Sequence, residues 1–148
     1  MTDHILKAHN KTQLLYHLVC NVKYKRKTLI YGVPNTIKKV CKEIEECYEI
    51  YFVEIGTDED HVHFLIQSIP TLSLSRIAQI VKSITAREIF KIHPGVKTAL
   101  WGGKFWSSSY YANTVGAYAN EETIKKYVKE QGKEYNQIYR SNQLKLFF

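Results

Sequence analysis

No apolar run in this sequence approaches the ~20 residues that a membrane-spanning helix requires, so no membrane association is expected. The N-terminal stretch MTDHILKAHNKTQLL lacks the apolar segment and small-residue cleavage site of a secretory signal. Cysteine is scarce. Cys20, Cys41 and Cys47 are an odd number without a CxxC pair, which argues against a disulfide framework or zinc knuckle and fits a reducing cytoplasm. There is no Pro-, Gly- or Ser-rich linker, no internal repeat and no low-complexity segment. The stretch WGGKF (101–105) does not have the spacing of a nucleotide-binding loop. With 148 residues, 45% of them hydrophobic, the chain is expected to form one globular domain over 1–148.

Acidic residues are in deficit, 14 Asp+Glu against 21 Lys+Arg, for a net charge of +7 and a pI near 9.2. Such an excess attracts polyanions, nucleic acid first among them. The signal is sharper where cations and aromatics interleave, in NVKYKRK (21–27) and GGKFWSSSYY (102–111), because phosphates want cations and unstacked bases want aromatic faces. A solvated strand end and turn explains KYKRK equally well. Lys23, Lys25, Arg26, Lys27, Lys82 and Arg87, together with His17, are the candidates for contact with DNA; simple exposure is the alternative for each.

The periodicity predicts the order of elements. TQLLYHLVCNVKYK (12–25) alternates, with Leu14, Tyr16, Leu18, Cys20, Val22 and Tyr24 on one face of a long strand with one buried side. VPNTIKKVCKEIEECYE (33–49) switches to helical spacing through Ile37, Val40, Cys41, Ile44, Cys47 and Tyr48, with Pro34 in the first turn. IYFVEIGT (50–57) and HVHFLIQS (61–68) read as a hairpin across the DED turn. Ser73 caps a second helix ended by HPG (93–95), and KFWSSSYYANTVG (104–116) contains a further strand. Asn120, Glu121 and Glu122 open a last helix. The order β-α-β-β-α-β plus a C-terminal helix is the α+β, ferredoxin-like split plan, which hosts many functions and decides no chemistry.

The chemistry lies in TDEDHVHFLIQ (57–67). On a strand, side chains two apart share a face, so His61 and His63 project together, while Val62, Phe64 and Ile66 are expected to point variously into the packing on either side. Two imidazoles on one face bind a divalent cation if a third ligand arrives from elsewhere. Otherwise they are partly exposed side chains or a nucleic-acid contact without metal. The last helix offers Tyr127 and Gln131, four apart and so neighbours on one helical face; alone, each is as well explained by packing. Taken together, His61, His63 and Gln131 make a site for an Mg²⁺- or Mn²⁺-like ion, with Tyr127 one turn away as a nucleophile.

These segments resemble the single-tyrosine HUH transposases (TnpA-like) of the smallest bacterial insertion sequences, HUH meaning His-hydrophobic-His. YHLVCNVKYKRK is similar to the family's first strand and basic turn, DEDHVHFLI to its D-H-V-H segment, LWGGKFWSSSYYANTVG to its fourth-strand region, and EETIKKYVKEQ to its nucleophile helix. The resemblance implies a homodimer in the cytoplasm, associated with the nucleoid, that acts on single-stranded DNA bearing hairpins. It implies a metal, Mg²⁺ or Mn²⁺, held by His61, His63 and Gln131, and attack by Tyr127 to leave a 5′-phosphotyrosine and a 3′-OH that later rejoins another end. It also implies that the dimer joins sheets edge to edge and that the tyrosine helix can complete the partner's site. Glu130 stands where the family often has asparagine, and YNQIYRSNQLKLFF after Gln131 has no counterpart in the pattern.

Three rivals remain. A domesticated HUH nuclease acting on genomic repeats would share every residue named. A replication initiator or relaxase shares the HUH chemistry but is usually larger. A ferredoxin-like module binding RNA or single-stranded DNA without catalysis would need Tyr and Phe outward on the central strands.

Overall fold

Alternating apolar residues in LLYHLVCNV form β1 at Leu14–Val22, which ends three residues short of the end of the 12–25 stretch predicted. The chain leaves the strand in a 3-10 turn at Lys23–Lys25, where Tyr24 takes a left-handed φ of 59°. Tyr24 is therefore 63% exposed and does not continue the buried face expected of it. The computed structural model describes residues 14–25, 29, 32–100, 103–116 and 136–141. The helix expected from Asn120 onward, with Tyr127 and Gln131, lies outside the described residues, as do Arg26 and Lys27.

Helix α1 spans Val33–Cys47, with Pro34 in its first turn and Gly32 before it at φ 91°, a conformation that favours glycine. Val33, Ile37, Val40, Cys41 and Ile44 are buried. Cys47 and Tyr48, read as part of the same stripe, are exposed because the helix ends there and the chain turns towards the next strand. The hairpin is as predicted, with β2 at Ile50–Thr57 and β3 at His61–Ser68. Helix α2 spans Leu74–Ile92, and the Ser73 side chain accepts a hydrogen bond from the Arg76 amide at 3.1 Å. Ser73→Ala is expected to lower stability by about 1 kcal/mol, read as a lower denaturant midpoint at unchanged slope. HPG ends this helix but opens another, because Pro94 suits a first helical turn: α3 runs Pro94–Ala99. β4 is Trp106–Gly116 and β5 is Asn136–Arg140, a strand in the tail for which the sequence suggested nothing.

The five strands form one antiparallel sheet in the order β4-β1-β3-β2-β5. The first four are the split α+β plan, with β5 added on the β2 edge. Helices α1 and α2 pack on one face over Tyr16, Leu18, Cys20, Val22, Phe52, Ile55, Val62, Phe64 and Ile66. Val62, Phe64 and Ile66 thus share one face rather than dividing between two, as the period of a strand demands. The opposite face is not simply solvated. Leu15, Val53 and Leu65 form a second buried cluster there, so β1 has two buried sides instead of one. A bulge between Phe52 and Glu54 sets both Val53 and Glu54 opposite Leu65, and buried Glu54 accepts a 2.8 Å hydrogen bond from Gln137 of β5.

Phe105 and Trp106, expected as part of an aromatic contact surface, are core residues. The Trp106 indole N–H donates to Thr85 Oγ1 at 2.9 Å, which satisfies its one polar atom inside the core. Among the described residues, no helix is long and apolar enough to cross a membrane.

Candidate metal centre

Strand β3 is the central strand of the sheet, hydrogen-bonded to β1 on one side and β2 on the other. His61 and His63 leave it on the face opposite α1 and α2, with ring centroids 5.0 Å apart. Each ring is held through its δ nitrogen. His61 Nδ1 lies 2.8 Å from Asp60 Oδ1, and His63 Nδ1 lies 3.1 Å from Nε2 of His17 on β1. A carboxylate only accepts, so His61 donates through Nδ1 and its ε nitrogen is the one a metal would use. Carboxylate–imidazole pairing of this kind is the usual outer support of a ligating histidine.

Burial pushes the His17 and His63 pKa values down to about 4. For His63 the charges of His17 and His61 push in the same direction, and Asp58 opposes them weakly. Both rings are therefore neutral at physiological pH, the form in which imidazole can ligate a cation. Among the described residues no group of three or more His, Cys, Asp or Glu is placed to hold a metal ion. His17 does not supply the third ligand, because it meets His63 at the δ nitrogen. The donor set thus fits a divalent cation with two imidazoles in place and a further oxygen ligand needed from elsewhere, the part expected of Gln131.

His17, a candidate DNA contact on sequence grounds, is only 8% exposed and turned towards His63, which leaves little surface for DNA. Reading the sequence in one strand at a time could not find this contact, since the two residues are 46 apart. Tyr111 of β4 is 57% exposed and sets its ring edge-on to His17, with centroids 6.1 Å apart.

The basic candidates fall elsewhere. The Lys23 ammonium sits over the Tyr24 ring at 5.3 Å. Lys25 closes the same 3-10 turn. Lys82 lies on the helix-bearing side of the sheet, donating to the Ser107 carbonyl at 2.8 Å and lying 5.3 Å over the Tyr110 ring. It lines an open cavity of about 630 Å³ with Gln79, Lys104, Trp106 and Tyr110, across the sheet from the histidines. Arg87 is exposed on α2, with its Nε 3.6 Å from Glu88. The structure therefore brings His61, His63 and His17 together and leaves Lys82 and Arg87 apart from them.

Comparison with known proteins places the chain among transposases. The family described as "Transposase IS200 like" matches residues 10–131. ISDra2 transposase TnpA of Deinococcus radiodurans is 31% identical over 119 residues, 80% of this chain and 84% of that protein. The transposase for insertion sequence element IS200 of Salmonella typhimurium is 25% identical over 134 residues, 90% of this chain and 87% of its own length. A solved structure from Deinococcus radiodurans R1, described as a candidate transposase, superposes with a TM-score of 0.64 at 28% identity, covering 80% of this chain and 91% of that one. A REP-associated tyrosine transposase bound to a REP hairpin shares the fold, with a TM-score of 0.55 at 8% identity over 84% of this chain and 70% of that one.

Proposed function

The chain belongs to the family of IS200-like transposases, and from that premise we propose that it cuts and rejoins single-stranded DNA through a tyrosine nucleophile at a metal centre built on His61 and His63. The observation that carries the reading is the histidine pair itself: two adjacent rings on one sheet face, each held at Nδ1. His61 and His63 would hold the cation through their ε nitrogens, and Gln131 would supply an oxygen ligand. The chemistry that Mg²⁺ or Mn²⁺ would supply there is Lewis-acid polarisation of the scissile phosphate. Tyr127 attacks the phosphorus through its hydroxyl oxygen. The phenolic proton leaves to a base, the bond from phosphorus to the 3′ oxygen breaks, and that oxygen takes a proton to become a free 3′-OH. The 5′-phosphotyrosine preserves the phosphodiester energy, so a second 3′-OH can displace the tyrosine without ATP.

Hairpins at the element ends are the proposed recognition feature. The hairpin bound by the REP-associated transposase, a protein of the same fold, supports this. We place the enzyme in the cytoplasm, as a single domain acting as a homodimer, following the family resemblance. A module that stacks RNA bases is disfavoured, because the histidine face of β1 and β3 carries Leu15, His17, Val19, Asn21, His61, His63, Leu65 and Gln67, and the strands' Tyr16 and Phe64 lie under the helices. A domesticated nuclease would use the same residues, and the DNA flanking the gene separates the two.

The test incubates labelled single strands from both flanks of the gene with wild type, Tyr127→Phe and Tyr111→Phe, with Mn²⁺ or with EDTA. Wild type and Tyr111→Phe are expected to give a protein–DNA adduct on denaturing gels that EDTA abolishes, and Tyr127→Phe none. An adduct that persists in Tyr127→Phe and vanishes in Tyr111→Phe would move the nucleophile to the exposed tyrosine beside His17.

A further inference from the structure

The contact between His17 and His63 carries a consequence for the metal centre. Their facing nitrogens, His17 Nε2 and His63 Nδ1, are 3.1 Å apart. The ring centroids are 5.3 Å apart and the planes differ by 21°. The centroid separation exceeds the nitrogen–nitrogen distance by roughly two ring radii, so the rings meet edge to edge and nearly in plane. Along that line a ring N–H points straight at the lone pair of the facing nitrogen. One proton occupies the bond, and it has two possible homes. If His17 Nε2 carries it, His63 accepts at Nδ1, and the remaining proton of a neutral His63 sits on Nε2, which blocks ligation there. If His63 Nδ1 carries it, His63 Nε2 bears a lone pair instead of a proton, the form in which it can ligate a cation.

We propose that His17 is a positioning residue that accepts the Nδ1 proton of His63 and so sets the tautomer in which His63 presents Nε2 to the metal. The proposal rests on the metal-centre reading for its use, but the tautomer is a property of the metal-free protein. His17 does for His63 what Asp60 does for His61, so both rings are primed from behind by an acceptor at Nδ1. One acceptor adjoins its histidine in the chain; the other reaches across from β1 through the Val19↔His63 register.

The test uses the full chain with ¹⁵N-labelled histidine, in wild type, His17→Phe and His17→Gln. Phenylalanine keeps a ring but has no acceptor. Glutamine can place its amide oxygen about where the imidazole Nε2 stood. Thermal unfolding of each variant reports whether the fold is retained. In metal-free wild type, long-range ¹H–¹⁵N spectra are expected to show His63 protonated at Nδ1. His17→Phe should shift it towards the Nε2–H form, and His17→Gln should restore the Nδ1–H form. Mn²⁺ affinity by calorimetry should fall about 10- to 100-fold in His17→Phe and by only a few-fold in His17→Gln.

Observing His63 as Nε2–H in wild type would overturn the proposal. So would an unchanged Nδ1–H form in folded His17→Phe, or equal losses of affinity in the Phe and Gln variants. If wild type bound no Mn²⁺ while the tautomer still depended on His17, the assignment of His17 would stand and the metal-centre reading would fall.

Discussion

Replacing His63 with alanine is expected to lower metal-dependent strand cleavage by at least on the order of a hundredfold, because loss of an outer-shell partner alone typically costs 10- to 100-fold. The structure supplies two imidazoles from β3, so this change removes half of the nitrogen donors in one step. The cation would then rest on His61 and an oxygen ligand, a pair too weak to hold Mg²⁺ or Mn²⁺ against water. Asp60→Ala should give a graded effect, about 10- to 100-fold in metal affinity, since His61 remains but its ring is no longer held at Nδ1. Single-turnover cleavage as a function of Mn²⁺ concentration separates the two: extra metal should recover much of the Asp60→Ala activity and little of His63→Ala. If His63→Ala cleaved within a few-fold of wild type, the pair would not be a metal site.

Phe64→Ala is expected to destabilise the protein by about 3–5 kcal/mol. Phe64 is fully buried on the helix-bearing face of β3 and meets Phe52 with ring centroids 5.7 Å apart. Truncation removes the transfer free energy of the ring and leaves a cavity under α1 and α2 that a close-packed core fills only in part. Against a total of about 5–15 kcal/mol for a typical domain, that is a large fraction. Urea unfolding should show a strongly lowered midpoint; a loss below about 1 kcal/mol would mean that the neighbours close over the gap. Because Phe64 projects from the face of β3 opposite to His63, metal affinity measured below the unfolding transition should stay near wild type, which distinguishes damage to the core from damage to the site.

Much of this was legible in the sequence, for reasons that differ by element. The period-2 and period-3.6 patterns located β1 to β3 and both long helices, and the HVH spacing alone put two imidazoles on one face. What escaped depends on register and on the third dimension. Leu15, Val53 and Leu65 look like ordinary outward positions until the sheet brings them together as a second buried cluster. Phe105 and Trp106 sit among lysine, serine and tyrosine and read as surface, yet they fill the core beside α2. NQIYR has no alternation to mark it; β5 exists because the β2 edge offers it a ladder through Glu54↔Arg140 and Thr57↔Asn136. His17 was visible as a residue but not as a partner, since only the pairing of β1 with β3 sets it against His63.

The placement of the histidine pair on the central strand also governs how the site breathes. Edge strands and chain ends fray at little cost, whereas a strand laddered on both sides opens only when much of the sheet opens with it. Val62, between the two histidines, pairs with Cys20 on one side and Thr57 on the other. Its backbone is therefore expected to reach solvent mainly in near-global openings, so the spacing of the two imidazoles should persist on the timescale of unfolding rather than of loop motion. A chain built this way carries the histidine pair within the part of its skeleton expected to exchange most slowly, and a substitution that loosens the sheet is expected to shorten the lifetime of that arrangement.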